Sequence, residues 1–475
     1  MRNTLTLATL LFSLIPLTAM GQISADLIAI EGDVSGNSTI ALINAPFVNG
    51  LGQVGFNAIL ADKSASVVFD GAEVFNTTSL VPTTENVSIR SPMGVGNAGQ
   101  FVFNPNLGSS VSAVESIRIQ SGEVLGEGNQ APGFATGFNI TFVNGATMTD
   151  DGTSYWIAGI TNGAGGEGTA SRALYRRNLD GSIDRVITAG DAIGSETVST
   201  RTFGVDYQFS RDNANSIIEV NADTTDGTDD GRVLVNLSVV AAQAAPAPDA
   251  SANPLVTNWD FFDRFTINNA GNYVFSGDTD GSNDTDEFIA YNGVIQLREG
   301  DSIAGITLDG SIRGVQLNEN NSLALVWDAD DGTDVLQSLF FASDAADLSN
   351  LTVVASVGDE IDVDGDGIAD WTLNFFQTGS SNGSSIALSE DGTIYVTVDL
   401  RSIDGGTFAQ AIIGIDGSSS FALGDVNRDG IVDFSDIAPF IRVLAADAFQ
   451  LEADIDRNGV VDFDDIAPFI IILSS

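Results

Sequence analysis

The 475 residues carry 64 Asp and Glu against 18 Lys and Arg, a formal charge of −46, with neither His nor Cys. So few cations argue against nucleic acid or an anionic membrane surface as partner. Missing thiols exclude disulfides and thiolate zinc, and missing imidazoles exclude Ser-His-Asp hydrolysis, so any catalysis here uses carboxylates or a hard metal.

The chain opens Met1-Arg2, runs through an apolar stretch from Leu5 to Leu17 and reaches Ala19-Met20-Gly21. Residues 1–21 therefore read as a secretory signal. No later apolar run reaches the roughly 18 residues needed to span a bilayer, so no membrane insertion is expected. The expected location is secreted or extracellular, with attachment to the cell surface as an option.

From 22 to about 420, short runs rich in Val, Ile, Leu, Phe and Thr are broken by Gly, Asn, Asp and Ser clusters, which reads as strands and tight turns. Aligning the turns places Gly52, Gly99, Gly152, Asn213, Gly271, Asn321 and Gly392 at one position, each before an alternating apolar strand. Gly and Asn most easily occupy a left-handed turn, so a shared backbone demand is expected there. A second element ends outgoing strands in Gly-Asp, at Gly190-Asp191, Gly300-Asp301 and Gly358-Asp359. Units of roughly 50 to 70 residues with four strands apiece predict a mainly β fold, a seven-bladed β-propeller over 22–420, with a β-sandwich pair or a β-solenoid as the alternatives. Ala25 to Asp33 resembles an outgoing Gly-Asp strand with no unit before it, and is expected to complete the last blade; Phe421 to Asp425 competes for that place. These units also resemble a family of tandem repeats of secreted bacterial proteins with varied C-terminal anchoring signals, which implies a fold and no activity.

Within the repeats, Ala244 to Ala250 reads as an exposed Pro/Ala loop, and the acidic stretches 223–230 and 278–286 as solvated turns. Trp156, Trp259, Trp327 and Trp371 are expected in the core rather than on a sugar-binding platform. Asp362-Val363-Asp364-Gly365-Asp366-Gly367-Ile368-Ala369-Asp370 has calcium-loop spacing at its first, third, fifth and ninth positions, with the Ile368 carbonyl as a further oxygen. Leu373 replaces the usual bidentate carboxylate at position twelve.

The last segment carries two complete loops of that kind. Asp425, Asn427, Asp429, Asp433 and Asp436 occupy the first, third, fifth, ninth and twelfth positions of one loop, with the Ile431 carbonyl between them. Asp454, Asp456, Asn458, Asp462 and Asp465, with the Val460 carbonyl, repeat the pattern 29 residues later. Each loop leads into Ile-Ala-Pro-Phe-Ile, with Pro in the first helical turn, so two helices packed through their Phe and Ile faces are predicted.

This duplicated loop-plus-helix resembles the type I dockerin module over about 424–473, in a C-terminal domain of 421–475. The resemblance implies that the ten side chains bind Ca²⁺ and that the partner is a cohesin-like protein or cell-surface scaffold. Phe434-Ser435 and Phe463-Asp464 depart from the small or hydroxylated pairs usual in that family at the tenth and eleventh positions, which leaves the partner's identity open. Two calcium loops that merely hold a small domain together are the alternative. The function expected is docking plus display of the repeat domain, with extracellular polysaccharide as a candidate ligand. A dockerin-tethered polysaccharide-degrading enzyme is the other reading, although no carboxylate pair stands out among 64 acidic residues.

Overall fold

The computed structural model describes residues 22–80, 87–108, 115–161, 171–199, 205–223, 231–303, 306–330, 332, 334–365, 368–377, 386–417, 424, 426, 432, 434–446, 453, 455, 461 and 462–473. The chain divides into two compact units, Ile23–Ser420 and a second that contains Phe421–Ser475.

Among the described residues the larger unit is a succession of seven antiparallel sheets of four or more strands. The first includes Ser38–Ile43, Val54–Leu60, Ala65–Phe69 and Ala72–Asn76. The second spans Ser88–Val95 to Gly122–Gly126, the third Asn139–Met148 to Ile183–Thr188, and the fourth Val205–Phe209 to Ser238–Ala242. The fifth spans Trp259–Ile267 to Val294–Arg298 and the sixth Ile306–Leu317 to Thr352–Ser356. The seventh is built from Trp371–Phe376, Ile386–Leu388, Thr393–Ser402 and Phe408–Asp416.

Leading strands of successive sheets lie side by side, and Ile386–Leu388 of the seventh lies against Phe47–Val48 of the first, closing a propeller-like ring. The Tyr207 hydroxyl joins the fourth sheet to the third by donating to the Gly145 carbonyl. Because each sheet is covered on both faces, the core is distributed over the seams. Val67, Phe69, Met93 and Phe101 fill the first seam, and Ile217, Val233, Phe262 and Phe275 fill that between the fourth and fifth sheets. Trp156, Trp259 and Trp327 are buried as expected, while Trp371 is half-buried.

The strand Asp26–Ile30 pairs with Phe408–Asp416, with Leu27 opposite Ile413, so the N-terminal segment completes the last sheet as its repeat pattern predicts. Its Asp33 carboxylate accepts the Ile30 N–H at 3.0 Å, and the same bond recurs as Thr188 to Asp191, Arg298 to Asp301 and Ser356 to Asp359. The preceding glycines all have φ between +87° and +104°. The competing segment, Phe421 to Leu423 with Asp425, lies outside the described residues.

All seven aligned turn residues have positive φ: Gly52 +76°, Gly99 +75°, Gly152 +95°, Asn213 +65°, Gly271 +81°, Asn321 +66° and Gly392 +93°. These turns also bond to one another around the ring. Asn97 N–H donates to the Asp150 carbonyl, Asp150 N–H to the Arg211 carbonyl, and Asp212 N–H to the Asn269 side chain. Asn268 Nδ2 reaches the Asn318 carbonyl, Asn318 Nδ2 the Ser389 carbonyl, and Arg211 pairs with Glu390 at 3.1 Å.

Two expectations are refined. The Ala244–Ala250 segment is a loop exposed at Ala244, Pro246, Pro248 and Ala250, but it is pinned at Asp249, which pairs at 3.0 Å with Arg298, whose guanidinium is fully buried and also bonds Thr279, Thr257 and the Thr285 carbonyl. Asp278 is not a solvated turn residue but lies in the strand Tyr273–Thr279, half-buried, because its stretch is strand up to Thr279 and turn only beyond it.

Two outcomes are expected in urea unfolding. Gly152→Ala, which forces a Cβ into a left-handed turn, costs about 1–2 kcal/mol. Asp249→Ala, which leaves the Arg298 guanidinium buried without its carboxylate, costs about 3–5 kcal/mol.

Candidate functional site

In the C-terminal unit, helices α1 (Ile437–Ala446) and α2 (Ile466–Leu473) each follow a single 3-10 turn, Phe434–Asp436 and Phe463–Asp465. The Phe440 and Phe469 rings stack with centroids 4.2 Å apart and 17° between planes. Val426, Val443, Ala453, Ile455 and Val461 complete the core around them. The predicted packing holds for the Phe faces and for half-buried Ile437 and Ile466. It fails for Ile441 and Ile470, which are 56% and 59% exposed, because one residue on from a buried Phe is about 100° round the helix.

Residues 29 apart have matching environments. Asp436 and Asp465, the twelfth-position residues, are both 0% exposed, while Phe434 and Phe463 at the tenth positions are 78% and 79% exposed. The Asp465 carboxylate accepts the N–H of Asp462, the ninth-position residue, at 2.9 Å. Asp425, Asn427, Asp429, Ile431 and Asp433 of the first loop, and Asp454, Asp456, Asn458 and Val460 of the second, lie outside the described residues.

The third acidic loop leaves the strand Glu360–Asp362. It brings Asp362, Asp364 and Asp370 together, each offering a carboxylate oxygen within 4.8 Å of the others. The Asp362 carboxylate accepts N–H bonds from Asp364 and Gly365 at 3.2 and 2.7 Å, and Asp370 accepts the Val363 N–H at 3.0 Å. These bonds curl the chain so that its first, third and ninth positions converge. Ile368 is exposed, Leu373 is buried in the core, and Asp366 lies outside the described residues.

The axis of the ring holds a small cavity of about 80 Å³, lined among others by Phe47, Met148, Phe209, Arg211, Leu317 and Glu319. Glu319 is the single carboxylate among its described lining residues. A drug-sized ligand needs roughly 300–1,000 Å³.

Sequence reasoning missed a set of titratable groups in the seams. In several sheets a third-strand Glu or Gln caps a backbone N–H at an irregularity in the next sheet's leading strand. Gln337 takes the Phe376 N–H at 2.8 Å, Gln410 that of Ile43 at 2.6 Å, Glu115 that of Val143 at 3.4 Å and Glu287 that of Ile312 at 3.4 Å. Glu287 stands opposite Asp278, and the Glu299 N–H donates to the Glu287 carbonyl, so three carboxyl groups form one cross-strand row in the fifth sheet. Burial, then the neighbouring Asp278, pushes Glu287 up to about 8. Burial, then Asp286, Asp260 and Asp263, pushes Asp278 to about 6. Burial, with Asp263 beside it, takes Asp206 on the fourth sheet to about 6. The signal was available in sequence as the third-strand Glu or Gln preceding each apolar run, but the bulge it caps is visible only in three dimensions.

No family model matches the chain, and no curated protein matches it. Among solved structures, the polysaccharide lyase Uly1 is similar at 9% identity and a TM-score of 0.41, over 84% of this chain and 98% of that one. The Dos1 propeller is similar at 10% identity and a TM-score of 0.35, over 84% and 92%. An alpha-l-arabinofuranosidase from Fusarium graminearum is similar at 10% identity and a TM-score of 0.31, over 84% and 98%. These likenesses are too distant to assign chemistry, and the ring of sheets rests on the strand order itself.

Proposed function

We propose that this chain is an exported, calcium-dependent docking protein, with a dockerin-like C-terminal unit as the tether and a seven-bladed β-propeller as the displayed binding domain. The observation that carries the reading is the matched pair Asp436 and Asp465, each wholly buried at the twelfth position of a calcium-type loop beside the stacked Phe440 and Phe469. The twelfth position of such a loop is the one that supplies the bidentate carboxylate to the ion, and it points inward to do so. A hard cation with oxygen ligands fits at two equivalent places, and its capture becomes part of the folding free energy of the unit. Exposed Phe434 and Phe463, one per loop, then form the apolar surface offered to a cohesin-like or cell-surface partner.

Display is favoured over polysaccharide cleavage by the axial cavity. It has Glu319 as the one carboxylate among its described lining residues, whereas glycoside hydrolysis uses a facing carboxylate pair. The Asp362, Asp364 and Asp370 cluster adds a further calcium position within the propeller domain.

Calcium titration of the full chain by calorimetry is expected to release heat, and chelator to change the far-ultraviolet circular dichroism of the helices. Asp465→Ala is expected to weaken the second loop's affinity by at least about a hundredfold, since removing one partner of a buried ion pair costs about 3–5 kcal/mol. No heat of binding, or an affinity unaffected by Asp465→Ala, would remove the docking reading.

A further inference from the structure

The cross-strand rows of the fifth and sixth sheets differ in charge. In the sixth sheet the row reads Asp328, Gln337 and Val357, and Arg313 neutralises Asp328 through two bonds of 2.7 and 2.6 Å. In the fifth it reads Asp278, Glu287 and Glu299, three acids in register. Two of those acids reach across to the bulged leading strand of the sixth sheet. Glu287 takes the Ile312 N–H, and Glu299 takes the Gly310 N–H at 2.7 Å. Glu299 is 6% exposed, and its second oxygen, Oε2, is buried with no hydrogen-bond donor.

We infer that the seam between these two sheets is a proton-operated joint: with a proton on the Asp278–Glu287–Glu299 row the fifth sheet grips the Gly310–Ile312 bulge, and when the row ionises the grip loosens. A buried acceptor without a donor is costly, and an ionised carboxyl there costs more than a neutral one. The proton comes from solvent and returns to it, with no other bond made or broken. Neutral Gln337 and Gln410 make the same backbone bond in the sixth and seventh sheets, so the bond itself needs no charge.

Further acids surround the row. Asp286 immediately precedes the Glu287 strand, Asp260 and Asp263 come from the first strand of the sheet, and Asp309, beside Glu299, from the sixth sheet. Among the described residues the cations nearby are Arg264, held by Asp263 at 3.1 Å, Arg298, held by Asp249 at 3.0 Å, and Arg313, held by Asp328. Ionising the row therefore sets like charges against one another, while Arg313, the cation that feels Glu287, is already engaged by Asp328. Glu287 is raised from 4.5 to about 8, so its contribution is whole below about 4.5 and lost as pH climbs through about 8.

The test is hydrogen exchange on the full chain at pH 6 and pH 9, corrected for intrinsic exchange rates. Protection at Gly310 and Ile312 is expected to fall about tenfold, one pH unit beyond the midpoint, while Phe376 and Ile43, capped by Gln337 and Gln410, hold theirs. Glu287→Gln is expected to abolish the difference. Unchanged protection at Gly310 and Ile312, an equal loss at Phe376, or a pH dependence that survives Glu287→Gln overturns the proposal. Should the variant not fold, the comparison of Ile312 with Phe376 in the native chain decides alone.

Discussion

The ring depends on seven left-handed turns bonded to one another around its axis. A sheet of four short strands buries little by itself, so each must present its leading strand at one angle to both neighbours. The turns at Gly52, Gly99, Gly152, Asn213, Gly271, Asn321 and Gly392 fix that angle, because only residues that tolerate positive φ reverse the chain tightly enough there. Cross-bonds such as Asn268 to Asn318 and Asn318 to Ser389 then carry the register from one repeat to the next. With no disulfide available, this network and the apolar seams bear the stability of the larger unit.

Closure of the ring is a separate problem with its own solution. Asp26–Ile30, at the start of the domain, pairs with Phe408–Asp416 near its end, so the last sheet forms only when both ends meet. The long-range pairing makes the ring one cooperative object and is entropically slow to form. The Gly32-Asp33 turn repeats the Gly-Asp turns elsewhere, which gives the displaced strand the same exit geometry as its counterparts.

The seams add a second layer of specification. Glu115, Glu287, Gln337 and Gln410 each settle one backbone donor at an irregular point of the neighbouring sheet. Where Gln does this the joint is indifferent to pH, and where Glu does it among other acids the joint acquires a titration. In the smaller unit the same economy of repetition operates on a different motif. Two copies of one loop-helix segment share a core through Phe440 and Phe469 and leave Phe434 and Phe463 outside.

The sequence by itself determined what is local. Periodicity located the strands, the Ile-Ala-Pro-Phe-Ile segments after the loops located the two C-terminal helices, Gly and Asn at one aligned position marked the left-handed turns, and the spare Gly-Asp strand at Ala25 to Asp33 indicated how the ring closes. These are readable because turn conformation and face alternation are properties of a few adjacent residues. Only the tertiary structure decided which polar groups lose their water. It buried Arg298 against Asp249, placed Asp278, Glu287 and Glu299 in one row, and turned Ile441 and Ile470 outward while Phe440 and Phe469 faced in. Burial and charge coupling depend on strands far apart in the chain, so an acidic stretch that looks solvated in one dimension becomes a titrating seam in three.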